Sequence, residues 1–373
     1  MKKHFSLILI SLLIVALLGM TAIGCQTTAA TETTAAAAET TEAAAETTAA
    51  AEVEEETTAA PQEKYTVGYQ IYFEGNDWSL QMAEEFKYAI TQEPYASMVE
   101  NVYYTSDDFD ITKQMNNFDD LVTKGCDIIF LSPLDPNAMV EKIKQAEADG
   151  IKVVVFAIDM NGEDFTASVN VSDYEHGVAM GEFVGKTVQK GKVAVINGIP
   201  GTQTAIDVHD GIVKAMEAYP DIELLPDVYT NWDYALTKQA TQDALQANPD
   251  LAGIVSHSEP KACAEVFVES GKEILPMNWM GSNGSLRLWR EWLDAGKDVK
   301  LEASTKPPYI SKIALEIGME ALQGEQVEKF TKVPVHIITE ETLDDFYRPD
   351  LSDRFWACSD LPEEVVNALF PKE

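Results

Sequence analysis

Positive charge is scarce in this chain. Its 373 residues carry 27 Lys+Arg against 62 Asp+Glu, a formal net charge of -35. A surface that negative repels phosphate backbones and anionic lipid headgroups, so nucleic acid and peripheral membrane binding are disfavoured. Cysteine and histidine are scarce too, at 4 and 5. His4, His176, His209, His257 and His336 form no HExxH and no paired metal spacing, and no CxxC occurs. A G-x-S-x-G elbow and a G-x-x-x-x-G-K-[ST] loop are both absent. His209 and Asp210 are adjacent on an expected helix and point apart, which is poor geometry for an acid–base pair. An enzyme is therefore not expected, nor a metal or an organic cofactor. Hydrophobic residues at 46% and charged residues at 24% are ordinary for a folded body with a core. The length favours two domains.

The first 25 residues read as a targeting segment. Lys2 and Lys3 precede an apolar run from Phe5 to Met20. That run is short against the roughly 20 residues a spanning helix needs. It ends in Thr21-Ala22-Ile23-Gly24-Cys25, which resembles the lipobox of bacterial lipoproteins, with Ala22 where Leu is usual. The resemblance implies a signal peptide over 1–24 and acylation of Cys25, with several chains giving stable anchoring. Ordinary secretory cleavage leaving a free cysteine is the other reading. Gln26–Gln62 holds 11 Thr, 14 Ala and 8 Glu in 37 residues, with no Lys and no aromatic. Too little apolar bulk is present to form a core, so 25–62 is expected to be a lipidated cysteine followed by a disordered linker. A partly helical Ala/Glu rod and a Thr-glycosylated stalk are alternatives. As a coil it reaches on the order of 30–35 Å. Cys126, Cys263 and Cys358 remain, enough for at most one disulfide, and buried thiols are the expected state.

From Lys64 apolar runs alternate with amphipathic stretches. Strands are expected at Tyr65–Phe73, Asp127–Ser132, Ile151–Ile158, Lys192–Ile196, Leu251–Ser256 and near Met277–Gly281. Helices are expected at Trp78–Ile90, from Asn137 to Asp149, at Thr204–Ala218 and at Lys261–Gly271. Short, continuous apolar strands between helices mean βαβ units and parallel sheets, hence an α/β fold. Ligands of such sheets sit beyond the carboxyl ends of the strands.

Gly125–Asp159 (GCDIIFLSPLDPNAMVEKIKQAEADGIKVVVFAID) resembles the first-lobe signature of ribose- and galactose-type periplasmic binding proteins. The likeness continues through Lys192–Gly211, Asn231–Ile254 and Met280–Gly284, and covers essentially 65–345. It implies the type I fold: two Rossmann-like lobes with parallel sheets, joined by three crossovers and closing on a small molecule. By analogy the N-terminal lobe is 64–168 plus 303–328 and the C-terminal lobe 169–302 plus 329–345. A C-terminal extension over 346–373, with Phe346, Tyr347, Phe355 and Trp356, is expected to pack on the body near the hinge.

A sugar offers hydroxyls in fixed geometry and an apolar C–H face, so carboxylates, amides and aromatic rings hold it. Asn76-Asp77-Trp78 matches the family position where polar and aromatic residues meet the ligand, with Trp78 as the stacking ring. Asp159 matches the strand-end Asp that accepts from two hydroxyls. Trp232 stands where the family often has a second-lobe aromatic, and Asn283 takes the place of a family Asp. The departures concern specificity. Val208 replaces a usual Arg, His257-Ser258 a usual Asn-Asp, and Ser304-Thr305-Lys306 a hinge strand that often supplies Gln. His257, Thr305 and Lys306 are then the candidate donors. Asp159 also has a bland reading as a cap or turn residue, His257 as a loop residue, Lys306 as a solvated hinge residue and Trp78 as core. The resemblance implies an extracytoplasmic, membrane-anchored, monomeric binding protein that takes a sugar or polyol by hinge closure and delivers it to an ABC importer permease. Delivery to a membrane sensor, and a nucleoside or other non-sugar ligand, are the alternatives. A repressor of the related fold is excluded, because a secretion signal rather than a helix-turn-helix precedes the core.

Overall fold

The computed structural model describes residues 64–372. The signal segment, Cys25 and the linker lie outside the described residues. Among the described residues, no helix is long and apolar enough to cross a membrane.

The chain first lays down β1 (Tyr65–Ile71), β2 (Val99–Ser106), β3 (Ile128–Leu131), β4 (Lys152–Phe156) and β5 (Ala167–Asn170). It then builds β6 (Gly191–Asn197), β7 (Ile222–Leu224), β8 (Val228–Tyr229), β9 (Leu251–Ser256), β10 (Met277–Trp279) and β11 (Leu301–Thr305). The last two strands are β12 (Phe330–Lys332) and β13 (His336–Ile338). They pair into two sheets, ordered β12-β5-β4-β3-β1-β2 and β13-β11-β10-β9-β6-β7, with β8 also on β6. Every pairing is parallel except that of β13 with β11. This is the α/β, two-lobed architecture of the type I periplasmic binding fold. The buried strands are the apolar runs of the sequence: IIFL of β3 is buried at every position. The strand β2 (VENVYYTS) was not apparent from pattern, because it is an edge strand with no fully buried residue.

The chain passes between the sheets three times: after β5, after β11, and between β12 and β13. The lobe boundaries expected at 168 and 328 therefore shift. β5 keeps the chain in the first sheet to Asn170, and β12 pairs with β5 there although 329–345 was expected in the second lobe.

Two glycines set the packing of the second lobe. Helices Asp173–Val188 and Gln203–Met216 cross so closely that a Cβ on Gly177 would lie 2.1 Å from the Val208 carbonyl oxygen. One on Gly211 would lie equally close, at 2.1 Å, to that of Tyr174. Val208, where the family usually has Arg, is wholly buried in this contact.

The C-terminal segment contacts both lobes. Asn283 Nδ2 donates to the carbonyls of Arg348 (2.8 Å), Leu351 (3.2 Å) and Ser352 (3.2 Å), and its Oδ1 accepts from the Arg348 N–H at 2.9 Å. Arg287 makes a bidentate pair with Asp353 (2.9 and 2.8 Å). Those ties are to the second lobe. Towards the first, Gln81 donates to the Trp356 carbonyl (3.0 Å) and accepts from its N–H (2.9 Å). Arg354 reaches Asp77, and Asp360 reaches Lys312 at 2.7 Å. Leu351, Phe355, Val366 and Phe370 form a small core that also takes in Leu80. Cys126, Cys263 and Cys358 are free thiols, and burial pushes each up, to about 11, 12 and 12.

Candidate functional site: the cleft between the lobes

The carboxyl ends of the strands from both sheets open on a cleft walled by both lobes, the place where open parallel sheets bind ligands. The first lobe lines it with Tyr72, Asn76, Trp78, Ala157 and Ile158. The second contributes Thr204, Trp232, His257, Glu259 and Met280. Thr305 ends β11, Lys306 opens the crossover after it, and Trp356 comes from the C-terminal segment.

The two expected indoles are fixed by their polar edges. Trp78 Nε1 donates to the Lys306 carbonyl at 2.9 Å, and Trp232 Nε1 donates to that of His257 at 3.1 Å. Each ring is thus anchored by its one donor and presents apolar surface to the cleft. Asn76 is the N-cap of helix Asp77–Ala89, its Oδ1 accepting from the Ser79 N–H at 2.9 Å. Among the described residues, the amide donors of Asn76 take no partner and lie at the wall.

The floor is a charged and imidazole cluster shared by two crossovers. Lys306 Nζ lies 2.7 Å from Asp173 Oδ1, with both side chains largely buried. His176 Nε2 meets the Ser304 carbonyl and hydroxyl at 3.1 Å. Burial, followed by the Lys306 charge, outweighs Asp173 and lowers His176 to about 4. His257 is held well below its ordinary value by burial, then by His176 and Lys306. Both rings are therefore neutral near pH 7. Asp173, His176 and His257 place ligand-type atoms within 4.8 Å of one another. The Asp173 carboxylate, however, already faces an ammonium, which opposes a second cation there.

Six of the nine sequence candidates converge on the cleft: Asn76, Trp78, Trp232, His257, Thr305 and Lys306. Three do not line it. Asp77 holds Arg354. Asn283 is buried and spends its amide on the C-terminal segment. Asp159 is exposed and borders a separate pocket with Ser168, Asn170 and Lys332. Ala157 takes φ 65° just after β4, so the chain turns there and Ala157 and Ile158 face the cleft instead. Glu259 and Trp356 line the cleft without having been expected. Glu259 follows a strand end in the same way as His257, a signal that was present. Trp356 had none, being brought in by tertiary packing.

The comparisons with known proteins agree with this fold. The model of the periplasmic binding protein domain matches residues 67–326. This chain belongs to the periplasmic binding protein family. The ribose import binding protein of Bacillus subtilis is 29% identical over 244 residues, 62% of this chain and 75% of that protein. The xylitol-binding protein of Mycolicibacterium smegmatis is 22% identical over 302 residues, 73% and 84% of the two chains. Among solved structures, an ABC transporter solute binding protein from Thermobispora bispora superposes with a TM-score of 0.72 at 21% identity, covering 82% of this chain and 94% of that one. One from Bacillus halodurans with bound myo-inositol gives 0.66 at 17%, covering 77% and 98%. The family resemblance read from the sequence thus extends to the fold.

Proposed function

We propose that this protein captures a sugar or polyol between its lobes by hinge closure and delivers it to an ABC importer permease, tethered outside the cytoplasmic membrane through Cys25. The observation that carries the reading is the cleft itself, walled by both lobes with two edge-anchored indoles. Relatives named for ribose and xylitol, and solved neighbours with bound myo-inositol and D-allose, support this ligand class. The lipobox-like Gly24-Cys25 and the polar segment behind it support the tether. Asn76, Trp78, Trp232, His257, Thr305 and Lys306 are the proposed contacts, joined by Glu259 and Trp356. A crossover-built floor lets both lobes contact one molecule, so ligand binding shifts the population to the closed form.

The test is a thermal-shift screen against pentoses, hexoses, polyols, nucleosides and amino acids. A ligand at 100 times its Kd adds about 2.7 kcal/mol, a readily visible shift. A sugar or polyol hit is expected, with a fall in radius of gyration by X-ray scattering on saturation. A hit only among nucleosides or amino acids overturns the ligand class, and an unchanged radius overturns closure.

A further inference from the structure

We propose that the ligand carries a protonated amine that seats on Glu259, so that the cleft selects an aminated sugar or polyol over its neutral parent. This rests on the solute-binding reading above and names the substrate class of the same site.

The argument is a charge inventory of the cleft. Four titratable side chains line it: Tyr72, His257, Glu259 and Lys306. Tyr72 is raised by burial and then by Asp173, so it stays a neutral phenol. His257 is neutral, and the Lys306 charge is met by Asp173. Glu259 is left over. Among the described residues, its carboxylate takes no hydrogen bond and no ion pair. Asp77 and Asp233, the groups whose charge acts on it, are both negative. The neighbouring cations are engaged elsewhere: Lys261 Nζ lies 2.8 Å from Asp353, and Arg354 holds Asp77.

A partly buried carboxylate with only negative neighbours favours keeping a proton or acquiring a cation. Burial first, then Asp77 and Asp233, raises Glu259 to about 7. A neutral sugar donates a hydroxyl but leaves a charge stranded under the closing lobes. An ammonium group supplies three donors and the missing charge. Trp78, Trp232 and Trp356 suit the same guest, since indole faces attract cations and also stack on a sugar's C–H face. The net charge of -35 favours approach of a cation from solution.

The test titrates the purified whole chain by calorimetry with D-glucosamine, D-galactosamine and D-glucamine, each beside its neutral parent D-glucose, D-galactose or D-sorbitol. At pH 8, at least one amine is expected to bind ten-fold or more tightly than its parent. Between pH 8 and pH 6 Glu259 passes from mostly ionised to mostly protonated, so D-glucamine, whose alkylamine stays protonated, loses about ten-fold. Glu259→Gln abolishes the amine's advantage, bringing amine and neutral parent to within about two-fold of each other on that variant, whatever its affinity for the parent. Its melting temperature without ligand, at or above that of the parent protein at pH 8, shows that it folds. Neutral parents binding as well as the amines, or an advantage that survives Glu259→Gln, overturns the proposal and leaves the sugar reading intact. Silence from all six, together with silence across the wider sugar and polyol screen, overturns both.

Discussion

Glu85 shows how a single side chain makes stability depend on pH. It is 1% exposed on helix Asp77–Ala89 and accepts from Ser359 Oγ at 2.6 Å and the Asp360 N–H at 3.1 Å. Burial outweighs these bonds and raises it to about 7, as it does Glu259 and Glu302. The folded protein therefore holds protons that the unfolded chain releases near pH 4.5. The associated stability is fully present below that pH and is lost as pH rises through about 7. The ligand-free melting temperature should fall between pH 5 and pH 8. Glu85→Gln, which keeps an acceptor for Ser359 and sheds the charge, should raise stability at pH 8 by roughly 1–3 kcal/mol and little at pH 5. A melting series on both proteins checks this, and a parallel offset at every pH would contradict it. At this scale the sequence was partly legible. Trp78, Trp232 and His257 stand just beyond strand ends, where a parallel sheet exposes its ligand side. Asp159 shares that signature, but the turn at Ala157 changes which side chains face inward, and no residue pattern announces a left-handed Ala.

Among the elements, the paired helices Asp173–Val188 and Gln203–Met216 matter most to the cleft. The first carries Asp173 and His176, and the second begins beside Thr204 at the wall. Their approach depends on backbone meeting backbone at Gly177 and Gly211, and backbone cannot swing aside as a side-chain tip can. Gly177→Ala must push the helices apart and should cost about 1–3 kcal/mol by overpacking, read as a lower denaturant midpoint. It should also weaken ligand binding, since Asp173 then shifts against Lys306. Unchanged stability would mean the helices separate without strain. The helices and central strands were legible because burial on one or both faces dictates their apolar spacing. The edge strand β2 was not, since half-exposed Tyr, Asn, Glu and Thr follow neither period.

At the scale of the whole molecule, the C-terminal segment adds a non-covalent link to the three chain crossovers. Rotation of one lobe against the other must turn about this segment or break its bonds to one side. Gln81→Leu removes both bonds to the Trp356 peptide and leaves a buried N–H and C=O unsatisfied, at a cost of about 1–3 kcal/mol each. Its expected signature is a lower melting temperature with faster ligand release in stopped-flow fluorescence. Release at the parent rate would show that the segment is a passive cover. The resemblance covered 65–345 and could not show what the remaining residues contact. Trp356 reaches the cleft through its own bonds to Gln81 and through Ala357, whose N–H donates to the Gly281 carbonyl, both partners far from it in the chain.

The strand order bears on synthesis. The first sheet waits for Phe330–Lys332, the second for His336–Ile338, and the mouth of the cleft for Trp356. A chain emerging from its N-terminus can complete the first sheet only after Lys332 and the second only after Ile338, so both lobes must finish folding almost together.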